Sequence, residues 1–360
     1  MKRIIQNSLL ILASIVFVFL LLEIGVRVYT GNYSFKNVLE NYLHITMSAY
    51  PTEYDETLGW VSKESISEHD VNGTTITVYE NGIRSNGNDE VGENSDGEGP
   101  ILAVGDSYTF GYEVSDNETW PAILERLTGR EVVNGGVIAY GMDQSLLRAQ
   151  QLIEIYDPDI LIFSFIPDDI YRCQLSARTG VKKPYFVINK GLLELKNNPV
   201  SRPSLTDYGD PGIRRILGYS VFIHYFMMKY GNGMWWLRGD RWENVQVHRN
   251  SMGDDIACLI VRELAGIAQK KGIKVYLLAQ YGSNRESRGV KRSRKALDCA
   301  DPRWLTVIDL HKPLLAVRDR DAREYRAFYT RHQHMTFKGN MFVAKKLEAV
   351  LNRTGNATLE

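Results

Sequence analysis

Only three cysteines, Cys173, Cys258 and Cys299, occur in 360 residues. They are too few and too scattered for a disulfide scaffold or for a zinc site with paired-ligand spacing. A single disulfide stays open: Cys173 and Cys299 each follow an expected strand end and form the candidate pair, while Cys258 falls in an apolar helical run and reads as a small core residue. An excess of charge of one sign is also lacking, since 43 Lys plus Arg balance 43 Asp plus Glu. A protein that neutralises many phosphates carries a basic excess, so nucleic acid is not expected as a partner. No internal repeat is visible. The hydrophobic share of 44% and charged share of 24% exclude disorder as the main state, and at roughly 150 residues per domain the length allows about two domains, or one large domain with insertions.

Charge is missing altogether from Leu9 to Leu22, the centre of an apolar run from Ile4 to about Val28 that follows Met1, Lys2 and Arg3. About 20 helical residues cross a bilayer core, so the run suffices if Glu23 and Arg27 sit at the far interface, where their i,i+4 spacing lets them pair. Residues 1–30 therefore read as a retained membrane anchor. A cleaved signal peptide is the rival, disfavoured by the length of the run and by the want of a small-x-small cleavage site. The basic start keeps the N-terminus in the cytoplasm and leaves the rest outside.

Residues 31–99 form an N-terminal extension with an alternating strand, Thr74 to Tyr79, a turn at Asn81-Gly82 and a flexible acidic loop from Ser85 to Pro100. Beyond it the rhythm changes. Short apolar runs at Ile101–Val104, Glu131–Asn134, Ile160–Ile166, Lys274–Gln280 and Thr306–Leu310 read as strands. Helical patterns at Trp120–Leu127, Gln144–Tyr156, Asp254–Lys271 and Phe337–Leu351 alternate with them. Continuous apolar strands alternating with helices predict a parallel sheet covered on both faces, with ligands beyond the carboxyl ends of the strands. The pattern lapses over 174–250, an inserted helical and loop region whose aromatic segment, Tyr219 to Trp236, reads as ordinary core burial of aromatics, as a lid, or as a helix on the sheet or the membrane surface. Arg285–Lys295 is basic and reads as a solvated loop. Asn-x-Ser/Thr sequons include those that begin at Asn72, Asn117, Asn352 and Asn356, and residues 353–360 form a tail.

Chemistry concentrates in four short blocks. Gly105-Asp106-Ser107-Tyr108-Thr109-Phe110-Gly111 follows the first buried strand. A serine there sits on a tight turn with its hydroxyl exposed and its amide free to donate. Asn134-Gly135-Gly136-Val137-Ile138-Ala139-Tyr140-Gly141-Met142-Asp143-Gln144 follows the second strand, and Ile166-Pro167-Asp168-Asp169-Ile170 the third. His332-Gln333-His334-Met335-Thr336-Phe337-Lys338-Gly339-Asn340 precedes the closing helix. A neutral histidine beside a serine hydroxyl takes its proton and then protonates the leaving group.

In these blocks residues 100–352 resemble an SGNH (GDSL-type) hydrolase, in the membrane-anchored bacterial group. The resemblance implies a flavodoxin-like three-layer α/β/α sandwich with a parallel sheet, and serine esterase or acyl-transfer chemistry without metal or organic cofactor. It implies Ser107 as nucleophile and His334 as general base, with Asp106, Gly136, Ala139 and Asp168 at oxyanion or binding positions. The expected partners are an O-acylated small molecule or cell-envelope carbohydrate and, through the N-terminal helix, the membrane. The expected place is the bacterial inner membrane, with the catalytic domain periplasmic or extracellular.

Three positions depart from the family pattern. Ala139 stands where an oxyanion-donating glycine is expected, a mild change because any backbone amide donates. Asp168 stands in place of a donating asparagine, and an ionised carboxylate only accepts unless burial and Asp169 keep it protonated. Arg331 stands three residues before His334, where the orienting acid belongs. Asp309, Asp319, Asp321, Glu324 or a backbone carbonyl are candidates to replace it, His332 is a rival base, and Arg331 and Asp169 are possible ligand contacts. These departures leave two readings: an extracytoplasmic enzyme acting on O-acyl groups, or a catalytically weakened domain that binds glycan or a partner in an envelope assembly.

Overall fold

Apolar strands flanked by helices form the expected sheet. The computed structural model describes residues 2–39, 52–71, 73–87, 98–204, 212–238, 244–248, 252–283 and 287–356. Two antiparallel hairpins come first, β1 (Thr52–Asp55) with β2 (Gly59–Ser62), and β3 (Ile66–Val71) with β4 (Thr74–Val78). The central sheet follows: β5 (Ile101–Val104), β6 (Val132–Asn134), β7 (Ile160–Phe165), β10 (Lys274–Ala279) and β11 (Leu305–Asp309), with hairpin β8 (Tyr185–Asn189) and β9 (Leu192–Lys196) inserted between β7 and β10. The order β6-β5-β7-β10-β11 is parallel throughout, with Ala103 opposite Asn134, Val104 opposite Phe163, and Leu277 opposite both Phe163 and Val307. Counted along the chain this is 2-1-3-4-5, the flavodoxin-like order, with its switch point between β5 and β7. Every residue of β5 and β7 is buried, as a strand covered on both faces requires.

The covering helices are α2 (Ser107–Phe110), α3 (Trp120–Thr128), α4 (Met142–Tyr156), α5 (Pro167–Arg172), α9 (Met252–Lys271), α10 (Ser287–Leu297), α11 (His311–Arg320), α12 (Ala322–Arg326) and α13 (Phe337–Asn356). Thr119 caps α3 by accepting from the Ala122 amide, Pro121 fits its first turn, and Gly129 ends it in the left-handed region. Helix α13 packs on α3, while α4, α5 and α10 pack on α9. The Asn340 side chain bolts the first pair together by accepting from the Trp120 amide at 3.1 Å.

Two sequence expectations are corrected here. The disulfide joins Cys258 to Cys299, and Cys173 is free and buried; its thiol donates to the Asp169 carbonyl at 3.3 Å. Helix α10 lies against α9, which brings Cys299, two residues past its end, to Cys258, a proximity invisible from strand ends alone. The basic stretch is not a loop: α10 takes in residues 287–297, with Lys291 and Arg294 exposed, Arg292 and Lys295 paired with Asp254 of α9, and Ala296 buried. Most of the acidic Ser85–Pro100 stretch lies outside the described residues, as does Asn72.

The chain divides into two compact units. One holds residues 47–176, 183–201 and 245–360, and contains the sheet. The other gathers residues 1–46, 177–182 and 202–244, so the inserted region is shared between the two. Its helices are α1 (Lys2–Thr30), α6 (Gly212–Leu217), α7 (Val221–Lys229) and α8 (Gly233–Arg238). Among the described residues α1 is the one helix long and apolar enough to cross a membrane, and none of its apolar window is buried.

Candidate active site

Ser107 sits at the C-terminal end of β5, beside the switch point. Space forces the turn: a Cβ on Gly105 would lie 2.6 Å from the Ser164 carbonyl oxygen and closer still to Thr109 Oγ1. Asp106 caps α2, its Oδ1 accepting from the Tyr108 amide at 2.9 Å. The second block presses on the same turn, because a Cβ on Gly136 would lie 2.8 Å from the Thr109 carbonyl carbon and closer to the Phe110 nitrogen. Ser107 is 5% exposed, and its hydroxyl lies 3.1 Å from His334 Nε2.

His334 reaches it from a short loop before α13. The Thr330 amide donates to the His334 carbonyl at 2.8 Å, Tyr329 pairs with Met335, and the Tyr108 hydroxyl donates to the Gln333 carbonyl at 2.6 Å. Tyr112 meets the imidazole edge-on, ring centroids 4.9 Å apart. Burial lowers the His334 pKa below the ordinary histidine value, against the upward pull of Asp106 and Glu113. The ring is thus held neutral near pH 7, the form that accepts a proton.

The carboxylate at the other ring nitrogen is Glu113. Its Oε2 lies 3.1 Å from His334 Nδ1 and accepts from Thr330 Oγ1 at 2.5 Å. None of the acids expected from the sequence is there. Asp309 accepts from the His311 amide, Asp321 caps α12, and Asp319 and Glu324 pair with Arg318 and Arg320. Arg331 is exposed, and His332 is also outside, its Nε2 3.9 Å from Glu113 Oε1.

Glu113 stands in the left-handed region, φ +70, which costs a non-glycine residue about 1–2 kcal/mol unless neighbours hold it. Arg84, wholly buried, does the holding. Its guanidinium donates to the carbonyls of Phe110 (3.1 Å), Gly111 (2.7 Å) and Val114 (2.7 Å) and to Asp116 Oδ1 (3.0 Å), and lies over the Phe110 ring. Sequence reasoning missed both residues. The available signal was a carboxylate two positions beyond the first block, in a chain whose fourth block has no acid.

The remaining predicted residues divide. Ala139 is buried with φ +70, and neither its amide nor that of Ser107 donates to an acceptor among the described residues. The Gly136 amide is already used, donating to Asn134 Oδ1 at 3.2 Å. Asp168 is not buried: its side chain is 65% exposed and faces Arg172 at 3.4 Å. It is turned toward a guanidinium at the surface, so burial does not act on it as the sequence reading required. The buried acid is Asp169, whose pKa is pushed well up by burial and then by Asp106. Arg172 joins the second and third blocks to the first, donating to Asp106 (3.0 Å), Asp169 (2.5 Å) and the Tyr140 carbonyl (2.7 Å).

Among the described residues no cluster of His, Cys, Asp and Glu has the makings of a metal site. No family model matches the sequence, and no curated protein matches it significantly. Solved structures do match. A lipolytic-type protein of the G-D-S-L family from Desulfitobacterium hafniense is 14% identical, with 70% of this chain and 99% of that one covered and a TM-score of 0.38. A lipase/acylhydrolase from Enterococcus faecalis is 13% identical over 70% and 95%, TM-score 0.36. An acetylxylan esterase from Geobacillus stearothermophilus, as a catalytic mutant, is 13% identical over 69% and 92%, TM-score 0.38. By its own strand order this chain has a flavodoxin-like three-layer α/β/α architecture.

Proposed function

We propose that this chain is a serine esterase or acyl-transfer enzyme acting on O-acyl groups, acetyl-like in size, of cell-envelope carbohydrate outside the cytoplasm. One observation carries the chemistry: Ser107 Oγ, the His334 ring and Glu113 Oε2 stand in line, each contact 3.1 Å. Ser107 Oγ attacks the acyl carbon while His334 Nε2 takes its proton. Glu113 holds Nδ1–H toward itself and stabilises the imidazolium. The tetrahedral oxyanion is met by the unoccupied amides of Ser107 and Ala139. Its collapse expels the alcohol, which leaves with the proton from His334. A water, or an acceptor hydroxyl, then takes the acyl group from Ser107 by the same steps in reverse.

Two features support the location: α1, which is long and apolar enough to span a membrane and begins with Lys2 and Arg3, and the Cys258–Cys299 disulfide, a bond that persists in oxidising compartments. The weakened-domain reading leaned on Arg331, Asp168 and Ala139. With Glu113 at His334 Nδ1, the first of these loses its weight. The test is a fluorophosphonate probe together with a short-chain acyl ester. Labelling and turnover that both vanish in Ser107→Ala support the proposal, and turnover retained in that variant, or no labelling of the parent protein, overturns it.

A further inference from the structure

Glu23 is the one acid in α1, and it is bonded to the start of α7. Its carboxylate accepts from Ser220 Oγ (2.7 Å), the Val221 amide (2.9 Å), the Phe222 amide (3.0 Å) and Arg27 Nε (2.7 Å). Arg27 in turn donates to the Tyr219 carbonyl at 3.1 Å. Two edge-on ring pairs continue the contact, Phe19 with Phe222 at 5.8 Å and Tyr29 with Tyr225 at 6.0 Å. The first turn of α7 is thereby fixed at the level of Glu23.

That level is set by arithmetic if α1 spans. From Arg3, about 20 residues at about 1.5 Å each cross a hydrocarbon core of about 30 Å, which brings Glu23 to the far interface. Phe19, one turn earlier, lies about 6 Å deeper, and Phe222 touches it. Outside its own small core this substructure keeps several large apolar side chains exposed. His224 and Trp236 turn inward, Trp236 Nε1 donating to His224 Nδ1 at 3.0 Å. Ile213, Ile216, Tyr219, Phe226 and Tyr230 are all at least half exposed. Lys229, whose ammonium donates to the Tyr225 hydroxyl at 3.0 Å, and the exposed Arg215 are cations of the kind that reach headgroups from such a face.

We propose that α6 and α7 lie in the bilayer interface at the Thr30 end of α1, as a second membrane element whose apolar face is covered by acyl chains. The proposal rests on α1 being a retained span, and is independent of the chemistry at Ser107. Full-length protein carrying Cys173→Ala is placed in phosphatidylethanolamine–phosphatidylglycerol nanodiscs. Single spin labels go on Ile216→Cys, Phe226→Cys, Tyr230→Cys and, to report the span, Leu12→Cys. Collisional accessibility to oxygen several-fold above that to a water-soluble nickel chelate at all four positions is the expected result. Leu12→Cys in lipid with the other three open to nickel, or shielded from both reagents by protein, overturns the membrane role of α6 and α7. Leu12→Cys in water instead overturns the span.

Discussion

Glu113 decides most at the scale of single residues. In a serine–histidine–acid arrangement, replacing the acid with its amide leaves the shape but removes the charge, and the loss in kcat reaches about four orders of magnitude. Glu113→Gln is expected to lower kcat on a short-chain ester by about 10²- to 10⁴-fold, whereas Arg331→Ala, on an exposed side chain, stays near the parent rate; initial rates at saturating substrate separate them. A pH profile adds a sign. The working form of His334 is neutral, so kcat/KM falls as pH drops through its pKa, which burial sets below the ordinary value of about 6.5. Because the Glu113 charge pulls that pKa up, Glu113→Gln moves the acid limb to lower pH, and a limb that moves upward contradicts the assignment. Ser107 and His334 were legible in the sequence because each sits in a contiguous block, Gly105–Gly111 and His332–Asn340, that resembles a known pattern. Glu113 was not, because a lone carboxylate on a loop has no spacing rule, and its partner lies 221 residues away.

Loops and helices set the next level. The 110–116 loop has no regular hydrogen-bond ladder to the sheet, and Arg84 replaces one with a single side chain. Arg84→Met takes the cation from buried Asp116 and a donor from the carbonyls of Phe110, Gly111 and Val114, and is expected to cost about 3–5 kcal/mol, read as a fall in the thermal midpoint with loss of activity. Gly136→Ala drives a methyl into the backbone of α2 and is expected to cost about 1–3 kcal/mol or more, measured the same way. The strands of the sheet were legible to within one or two residues because buried parallel strands read as unbroken apolar runs. Helix α10 was not: its cations outnumber its apolar residues, and two of them, Arg292 and Lys295, pair with Asp254 of α9, a contact that no apolar period announces.

For the molecule as a whole, the Cys258–Cys299 bond closes a loop of 41 residues that includes β10 and α10. Loop-closure entropy assigns such a bond about 4 kcal/mol. Cys299→Ser is therefore expected to lower the thermal midpoint in non-reducing buffer, and dithiothreitol to lower that of the parent but not of the variant. The pairing was beyond sequence reasoning because it depends on how two helices lie side by side. The active centre divides along the chain in the opposite manner. Ser107 and Glu113 are six positions apart on one bend, and the imidazole enters between them from a segment 221 positions beyond Glu113. Nucleophile and acid are two jaws made early, and the histidine is the piece they grip. Without the segment that carries His334 the jaws stay empty, so the proposed acyl chemistry waits until that segment is seated.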